Sequence, residues 1–366
     1  MYSAIMKRAI GEMRRSLEGQ GFRMQSRIFS QHGRHEAAED APLMLVACSG
    51  GRDSLALAYC ASIVCPMLGL RCGAVIVDHN IQRGSGAVAQ KAADQCTSMG
   101  LTPVSVVSIR VQKSRAGEEA DARDARYAAI VECAKRTGAS AVLLAHTLDD
   151  QAETIIMGLM RSTGTQALAG MPAVSIKGDV RFIRPLLKLR RADTTQLCTV
   201  AGLEWWDDPT NGDGVAFSQR LPPEYPLRSR IRHDLVPFLD DFVGGDATAL
   251  LTGNVRQARE DTEFLDASAR DLAARSLHEA SCDCDRKTLE LSVEPLRTQH
   301  AALRKRVIVI ALNRLGIPVS SRNVESIDGL IADWHGQGEV NLPLGFSANR
   351  QSNVIHLCKD GGHANR

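Results

Sequence analysis

The sequence lacks any run of about 20 uninterrupted apolar residues, the length a membrane-spanning helix needs, so no membrane partner and a cytoplasmic setting are expected. It also lacks a Cys-x-x-Cys. The ten cysteines are scattered, and Cys48, Cys60 and Cys72 stand among apolar residues, as buried thiols in a reducing compartment do. Cys282 and Cys284 are the one close pair, and Cys-x-Cys is poor spacing for a zinc knuckle, so both read as structural. Neither sign of charge is in excess. The formal net charge of +2 excludes a polycation and confines any nucleic-acid site to a local patch. Repeats and low-complexity tracts are missing too. What is present is 366 residues, 44% apolar and 23% charged, which suits a soluble globular protein with room for two domains and a core too large to need staples.

The stretch that organises the chain is Ser49-Gly50-Gly51-Arg52-Asp53-Ser54, between an apolar run, Leu43–Cys48, and a helix-like run, Leu55–Ile63. It is neither a Walker A loop, having no Gly-Lys-Ser/Thr, nor a Gly-x-Gly-x-x-Gly turn. A strand emptying through two glycines into a helix start gathers backbone N–H groups at the positive end of the helix dipole, and phosphate is the natural occupant. Ser49 and Ser54 add hydroxyls. A carboxylate in such a cradle repels its ligand unless it caps the helix or holds a divalent cation, and both roles are expected of Asp53. An ordinary capped turn fits Ser-Gly-Gly alone equally well.

From Leu43 onward apolar strands alternate with helices. Strands are expected at Leu43–Cys48, Cys72–Val77, Val104–Ile109 and Ala141–Ala145, and helices at Leu55–Ile63, Ala87–Met99, Glu118–Thr137 and Gln151–Met160. The pattern is α/β: a doubly wound parallel sheet of Rossmann-like type, with a helical connector and a smaller α+β C-terminal domain. Ahead of it, Met1–Gln20 carries Met6, Ile10, Met13 and Leu17 at helical spacing. Glu12 and Glu18 favour a packed or flanking helix over a transit peptide. The expected divisions are 1–40, N-terminal helix and linker; 41–239, catalytic domain; and 240–366, connector and C-terminal domain. Pro237–Gly245 reads as the boundary, Ala249–Glu279 as a long connecting helix, and Glu339–Leu342 with Asn353–Leu357 as a hairpin.

Polar clusters fall at the carboxyl ends of the strands, where ligands bind in such sheets. In His146-Thr147-Leu148-Asp149-Asp150-Gln151-Ala152-Glu153-Thr154, Asp150 and Glu153 share a helical face. They suit holding Mg²⁺ against phosphates or deprotonating an amine, although a capped helix start explains the charges too. Asp78 and His79 end the second strand and can read a ribose or adenine, or only form a turn. Arg123 and Arg126 share a face as phosphate clamps, or pair locally as Glu119 with Arg123. Between Arg297 and Arg322 lie Arg297, Arg304, Lys305, Arg306, Arg314 and Arg322 with no acidic residue: a local nucleic-acid patch, or a solvated helix face.

Taken together these stretches resemble the tRNA(Ile)-lysidine synthetase family of N-type PP-loop ATP pyrophosphatases, from Leu43 to about Leu239. The most specific part is the His146–Thr154 string followed by Leu168-Ala169-Gly170-Met171-Pro172; Val77-Asp78-His79, Arg184-Pro185-Leu186-Leu187 and Asp208-Pro209-Thr210-Asn211 belong to it as well. The resemblance implies a ligase that adenylates the wobble cytidine of the CAU-anticodon isoleucine tRNA and lets free L-lysine displace AMP. It assigns Ser49, Gly50, Gly51, Arg52, Asp53, Ser54, Asp78, His79 and His146 to ATP, Asp53 and Asp150 to Mg²⁺, and Asp150 and Glu153 to lysine. Asp53, Asp150, Glu153 and Arg126 are implied as catalytic. Arg123, Arg184, Arg230, Arg232, Arg304, Lys305 and Arg306 are implied as phosphate or tRNA contacts. A monomer or homodimer is expected.

The sequence departs from that pattern twice. Gln82 stands where the family has Arg, with Arg83 next, and Leu221–Pro226 interrupts the Arg-rich segment, leaving open which of Arg220, Arg228, Arg230 and Arg232 faces substrate. The alternatives are a PP-loop tRNA thiolase, which usually wants paired cysteines, and an ATP sensor without turnover, which needs neither Asp150 nor Glu153.

Overall fold

The computed structural model describes residues 2–23, 36–78, 84–109, 118–160, 164–216, 218–279 and 288–359. His79, Gln82, Arg83, Cys282, Cys284 and the side chain of Glu119 therefore lie outside the described residues. The chain divides into two compact units, Met1–Arg256 and Gln257–Arg366.

In the first unit helix α1 (Ala4–Gly19) precedes strand β1 (Leu43–Ala47), whose five apolar residues are covered on both faces. There follow α2 (Arg52–Met67), β2 (Arg71–Asp78), α3 (Ser85–Ser98), β3 (Val104–Ser108), α4 (Glu118–Thr137), β4 (Ala141–Leu143) and α5 (Leu148–Met160). An antiparallel pair, β5 (Val174–Lys177) and β6 (Val180–Ile183), then leads to α6 (Arg191–Ala201). The sheet order is β3-β2-β1-β4-β6-β5, parallel except at the β5 edge. The chain walks outward from β1 to β3 and returns to β4 on the other side of β1. That reversal opens a crevice above the carboxyl ends of β1 and β4, the usual ligand position in such sheets.

One sheet face carries α1, α2, α3 and α6 in a core that includes Met13, Leu17, Leu55, Leu57 and Leu197. The opposite face carries α4, where Tyr127 meets Phe182 edge-on at 5.4 Å. Helix α2 is apolar nearly all round because α1, β1, β2, α3 and α6 all pack against it. Beyond α6, α7 (Leu227–Arg230) runs through a π-helical turn, Ile231–Leu235, into α8 (Val236–Val243), followed by α9 (Ala247–Thr252). The expected boundary at 237–245 falls on α8 and the glycines after it, and none of the α8 residues is buried. The compact unit runs on to Arg256 because α9 lies against α5 and α8.

Helix α10 (Val255–Ser276) is separated from α9 by Gly253 and Asn254, so the long connecting helix expected over 249–279 is broken there. In the second unit β7 (Leu277–Glu279), β8 (Leu289–Ser292), β9 (Val340–Leu342), β10 (Phe346–Gln351) and β11 (Val354–Lys359) form an antiparallel sheet ordered β7-β8-β11-β10-β9. The short α11 (Glu294–Arg297) precedes α12 (Ala301–Leu315) and α13 (Ser321–Ala332), which bury Val307, Ile308, Leu312, Ile327 and Leu330 against it. The expected hairpin of 339–342 with 353–357 does not form. β10, which reads too polar for a strand beyond Ala348, lies between those two segments and pairs with both.

Candidate active site

The turn after β1 is built as a cradle. Gly50 has φ +80°, a conformation side chains resist, and an added Cβ would stand 3.3 Å from Ala92 Cβ of α3. Gly51 precedes helix α2 as its N-cap residue and makes no side-chain cap among the described residues, so the first N–H groups of the helix are left for a ligand. Ser54 donates its hydroxyl to Gly51 O (2.8 Å) and accepts from Ser49 N (3.1 Å). It therefore braces the loop, and of the two expected hydroxyl donors only the exposed Ser49 is presented outward. Trp206 N donates to Gly50 O at 3.0 Å, and Arg52 reaches Asp213 at 2.9 Å, so residues 206–213 are strapped to the loop.

Asp53 does not cap α2. Its carboxylate accepts the Thr194 hydroxyl and lies 3.3 Å from Arg191 Nε, both residues of α6. Burial pushes the Asp53 carboxyl up, against the pull of Arg191 and Thr194.

At the head of α5 the capped start and the reactive cluster coexist. Thr147 N and Oγ1 donate to Asp150 Oδ2 at 2.8 and 2.9 Å, a capping arrangement. The other oxygen, Oδ1, faces Arg191, Arg228 and Arg232 at 3.5, 3.6 and 3.7 Å. Burial alone would raise Asp150, but Arg191, His146, the Thr147 amide and Arg228 outweigh it and hold its carboxyl down at about 2. Glu153, 1% exposed, receives a two-pronged Arg232 at 2.7 and 3.1 Å, with Arg228 at 3.7 Å. Burial nevertheless pushes the Glu153 carboxyl up. Two carboxylates three residues apart are thereby driven in opposite directions, the usual preparation of an acid–base pair.

Arg191 is the residue that sequence reading missed, since the segment noted there stopped at Leu187. It touches Asp53, Asp150 and Glu153, the last at 3.9 Å. The available signal was physical: Arg190 and Arg191 open a helix, where the dipole disfavours cations unless carboxylates wait opposite. Asp149, also unassigned, binds Arg190 Nε at 3.2 Å and Arg191 N at 2.7 Å and so seats α6 on α5.

Beside this cluster lies a cavity of about 240 Å³, lined among others by Glu153, Arg191, Asn211, Asp213, Val215 and Arg232. The inserted segment folds back on it. Leu221 N donates to Asp234, whose neighbour His233 binds Val215 O at 3.0 Å. Of the four arginines left open, Arg228 and Arg232 reach the carboxylates. Arg220 acts on Asp234, and Arg230 Nε is buried without a hydrogen-bond partner among the described residues.

The remaining expected residues divide. His146 stands beside Asp150 with Nδ1 buried and without a hydrogen-bond partner among the described residues, and burial pushes its pKa down to about 4. Asp78 is buried at the end of β2. Arg123 and Arg126 are exposed on α4, Arg123 lying 5.7 Å over the Tyr127 ring. Arg184 instead braces the preceding loop, donating to Pro172 O (2.8 Å) and Ser175 (3.1 Å). In the second unit Arg304 forks onto Asp328 at 2.8 and 3.0 Å and Arg306 binds Asp266 at 3.0 Å, so both serve packing; Lys305 is 3.8 Å from the exposed Glu325.

Residues 24–239 match the PP-loop domain family, and residues 291–356 match the TilS substrate binding domain. A tRNA(Ile)-lysidine synthase of Bifidobacterium animalis subsp. lactis (strain AD011) is 49% identical over 374 residues, spanning 100% of this chain and 98% of its own length. One from Streptomyces coelicolor (strain ATCC BAA-471 / A3(2) / M145) is 40% identical over 314 residues, 85% of this chain and 84% of its own. The solved U34-tRNA thiolase NcsA from Methanococcus maripaludis, with its 4Fe-4S cluster, aligns with a TM-score of 0.51 over 70% of this chain and 79% of its own. At 15% identity that likeness is one of fold. The chain belongs to the tRNA(Ile)-lysidine synthase family, with a PP-loop domain that carries the crevice and, later in the sequence, a TilS substrate binding domain.

Proposed function

We infer that this protein ligates free L-lysine to C2 of the wobble cytidine in CAU-anticodon isoleucine tRNA, converting ATP to AMP and pyrophosphate. The observation that carries the reading is the placing of Asp150 and Glu153 next to Asp53 of the phosphate loop, in a chain related end to end to lysidine synthases. In the first step the cytidine C2 oxygen attacks the α-phosphorus and pyrophosphate leaves. In the second the lysine ε-amine attacks C2 and AMP departs with that oxygen.

Each group has work in this scheme. The N–H groups opening α2 and the Ser49 hydroxyl receive the triphosphate. Asp53 and Asp150 offer hard oxygen donors suited to Mg²⁺, and no described trio of His, Cys, Asp or Glu is gathered into a metal site, so phosphate oxygens would complete its shell. When bound, the ion would offset charge between the phosphates and these carboxylates. Glu153, raised by burial, takes the proton that the lysine ammonium must lose, and Asp150, held ionised, keeps the amine in place. Arg191, Arg228 and Arg232 stabilise charge building at the α-phosphate, with Arg126 approaching from α4. The cavity mixes carboxylates, guanidiniums and the apolar Val215 and Val236, which suits an amino acid with a long stem. On the second unit Lys305 and the exposed Arg297, Arg314 and Arg322 are left to meet tRNA phosphates.

Incubation with ATP, Mg²⁺, labelled lysine and a CAU-anticodon isoleucine tRNA should put label into RNA. Folded protein that transfers none would overturn the reading.

A further inference from the structure

The amine-binding carboxylate is already occupied by the protein itself. Arg232 sets two guanidinium nitrogens on the two oxygens of Glu153, and Arg228 and Arg191 crowd the same carboxylate at 3.7 and 3.9 Å. With Glu153 only 1% exposed, a lysine ammonium has no open oxygen to approach. Arg232 sits on the π-helical turn, an irregular backbone that marks sites of rearrangement more often than plain helix does. Beyond Glu153 its contacts are longer, 3.5 Å to Asn211 Oδ1 and 3.7 Å to Asp150 Oδ1.

We propose that Arg232 is an internal stand-in for the substrate ammonium, and that it releases Glu153 only when phosphate gives the guanidiniums a stronger partner, so that lysine binds after the nucleotide. The inference rests on the lysine-ligation reading. Its physical basis is exchange of partners. Asp53, Asp150 and Glu153 balance Arg191, Arg228 and Arg232 in this structure. A triphosphate entering beside Asp53 adds negative charge that planar guanidiniums bind bidentately. Drawing Arg232 away strips the buried Glu153 of its two hydrogen-bonded nitrogens and leaves it only the longer contacts to Arg228 and Arg191, a deficit that an incoming ammonium makes good. Nucleotide and lysine therefore help one another, and linkage requires each to raise the other's affinity by the same factor. The arrangement also keeps free amine from reaching Glu153 before a nucleotide is in place.

Calorimetric titration of lysine into the full-length protein, with and without a non-hydrolysable ATP analogue and Mg²⁺, tests the order. Lysine affinity should rise about tenfold or more with the analogue, and Arg232→Gln should bind lysine without nucleotide nearly as well as with it. Equal lysine affinity with and without analogue in the parent protein, or an Arg232→Gln protein of unchanged melting temperature and unchanged coupling, would overturn the proposal. An isotope-trapping experiment needs no variant. Labelled lysine preincubated with enzyme alone, then chased with ATP, tRNA and excess unlabelled lysine, should leave the RNA unlabelled. Efficient trapping of lysine from enzyme alone defeats the order while leaving the ligation intact, and absence of transfer under every order defeats both.

Discussion

Asp150 gives one oxygen to the Thr147 cap and the other to three arginines, so its two duties can be separated. Asp150→Asn keeps an acceptor for Thr147 and removes the charge. AMP formation should fall by about a hundredfold or more. Asp150→Ala loses the cap as well, and its unfolding free energy should drop by about 1 kcal/mol further. His146 offers a pH prediction. Burial lowers its pKa from 6.5 to about 4, so the unfolded chain takes up a proton where the folded one refuses it. Above pH 6.5 neither state is protonated. As pH falls from 6.5 toward 4, stability should decline by about 3 kcal/mol, and His146→Gln should flatten that part of a melting-temperature profile. A variant with the same slope as the parent would show that another group titrates there. Arg184, expected at a phosphate, holds Pro172 O and Ser175 instead. Arg184→Met should therefore act on thermal stability, by about 2–3 kcal/mol, with loss of catalysis following from that loop.

At the scale of elements, α5 and the loop before β5 are locked by one side chain. Gln151 accepts from Met171 N at 2.6 Å and donates to Met171 O at 3.0 Å. Gly170 has φ +57°, and a Cβ there would fall 2.4 Å from Gln151 Oε1. Gly170→Ala should lower the melting transition by the equivalent of about 2–4 kcal/mol, through strain and a displaced Gln151 left partly unsatisfied. The strand–helix alternation was legible because β1, β2 and β4 are continuous apolar runs, and the cradle was legible because its glycines and its neighbours are contiguous in sequence. The π-turn bearing Arg232 was not. Its partner Glu153 lies 79 residues earlier, and helical spacing carries no mark of where a guanidinium will land. Arg191 stayed hidden for the same reason, its carboxylates coming from α2 and α5.

Across the whole molecule the chain combines a crevice lined by carboxylates and guanidiniums with a second unit in which some of the basic residues are paired to carboxylates. The run from Arg297 to Arg322 reads as one patch, yet Arg304 answers Asp328, 24 residues on, and Arg306 answers Asp266, 40 residues back. A charge run says how many cations there are and not which side of α12 they take. Arg304→Met should cost about 3–5 kcal/mol in stability by stranding Asp328. Lys305→Ala should leave melting unchanged, weaken tRNA binding and reduce its salt slope by about one unit. The central claim is that the innermost phosphorus of ATP is attacked and that lysine then expels AMP. Its most direct test follows α-labelled ATP and labelled lysine in one reaction with the CAU-anticodon isoleucine tRNA. Without lysine, pyrophosphate should appear and the α-label should stay on RNA; on adding lysine, AMP and lysine-labelled tRNA should form in equal amounts. ADP as the product, or AMP released at the same rate without lysine, would contradict it.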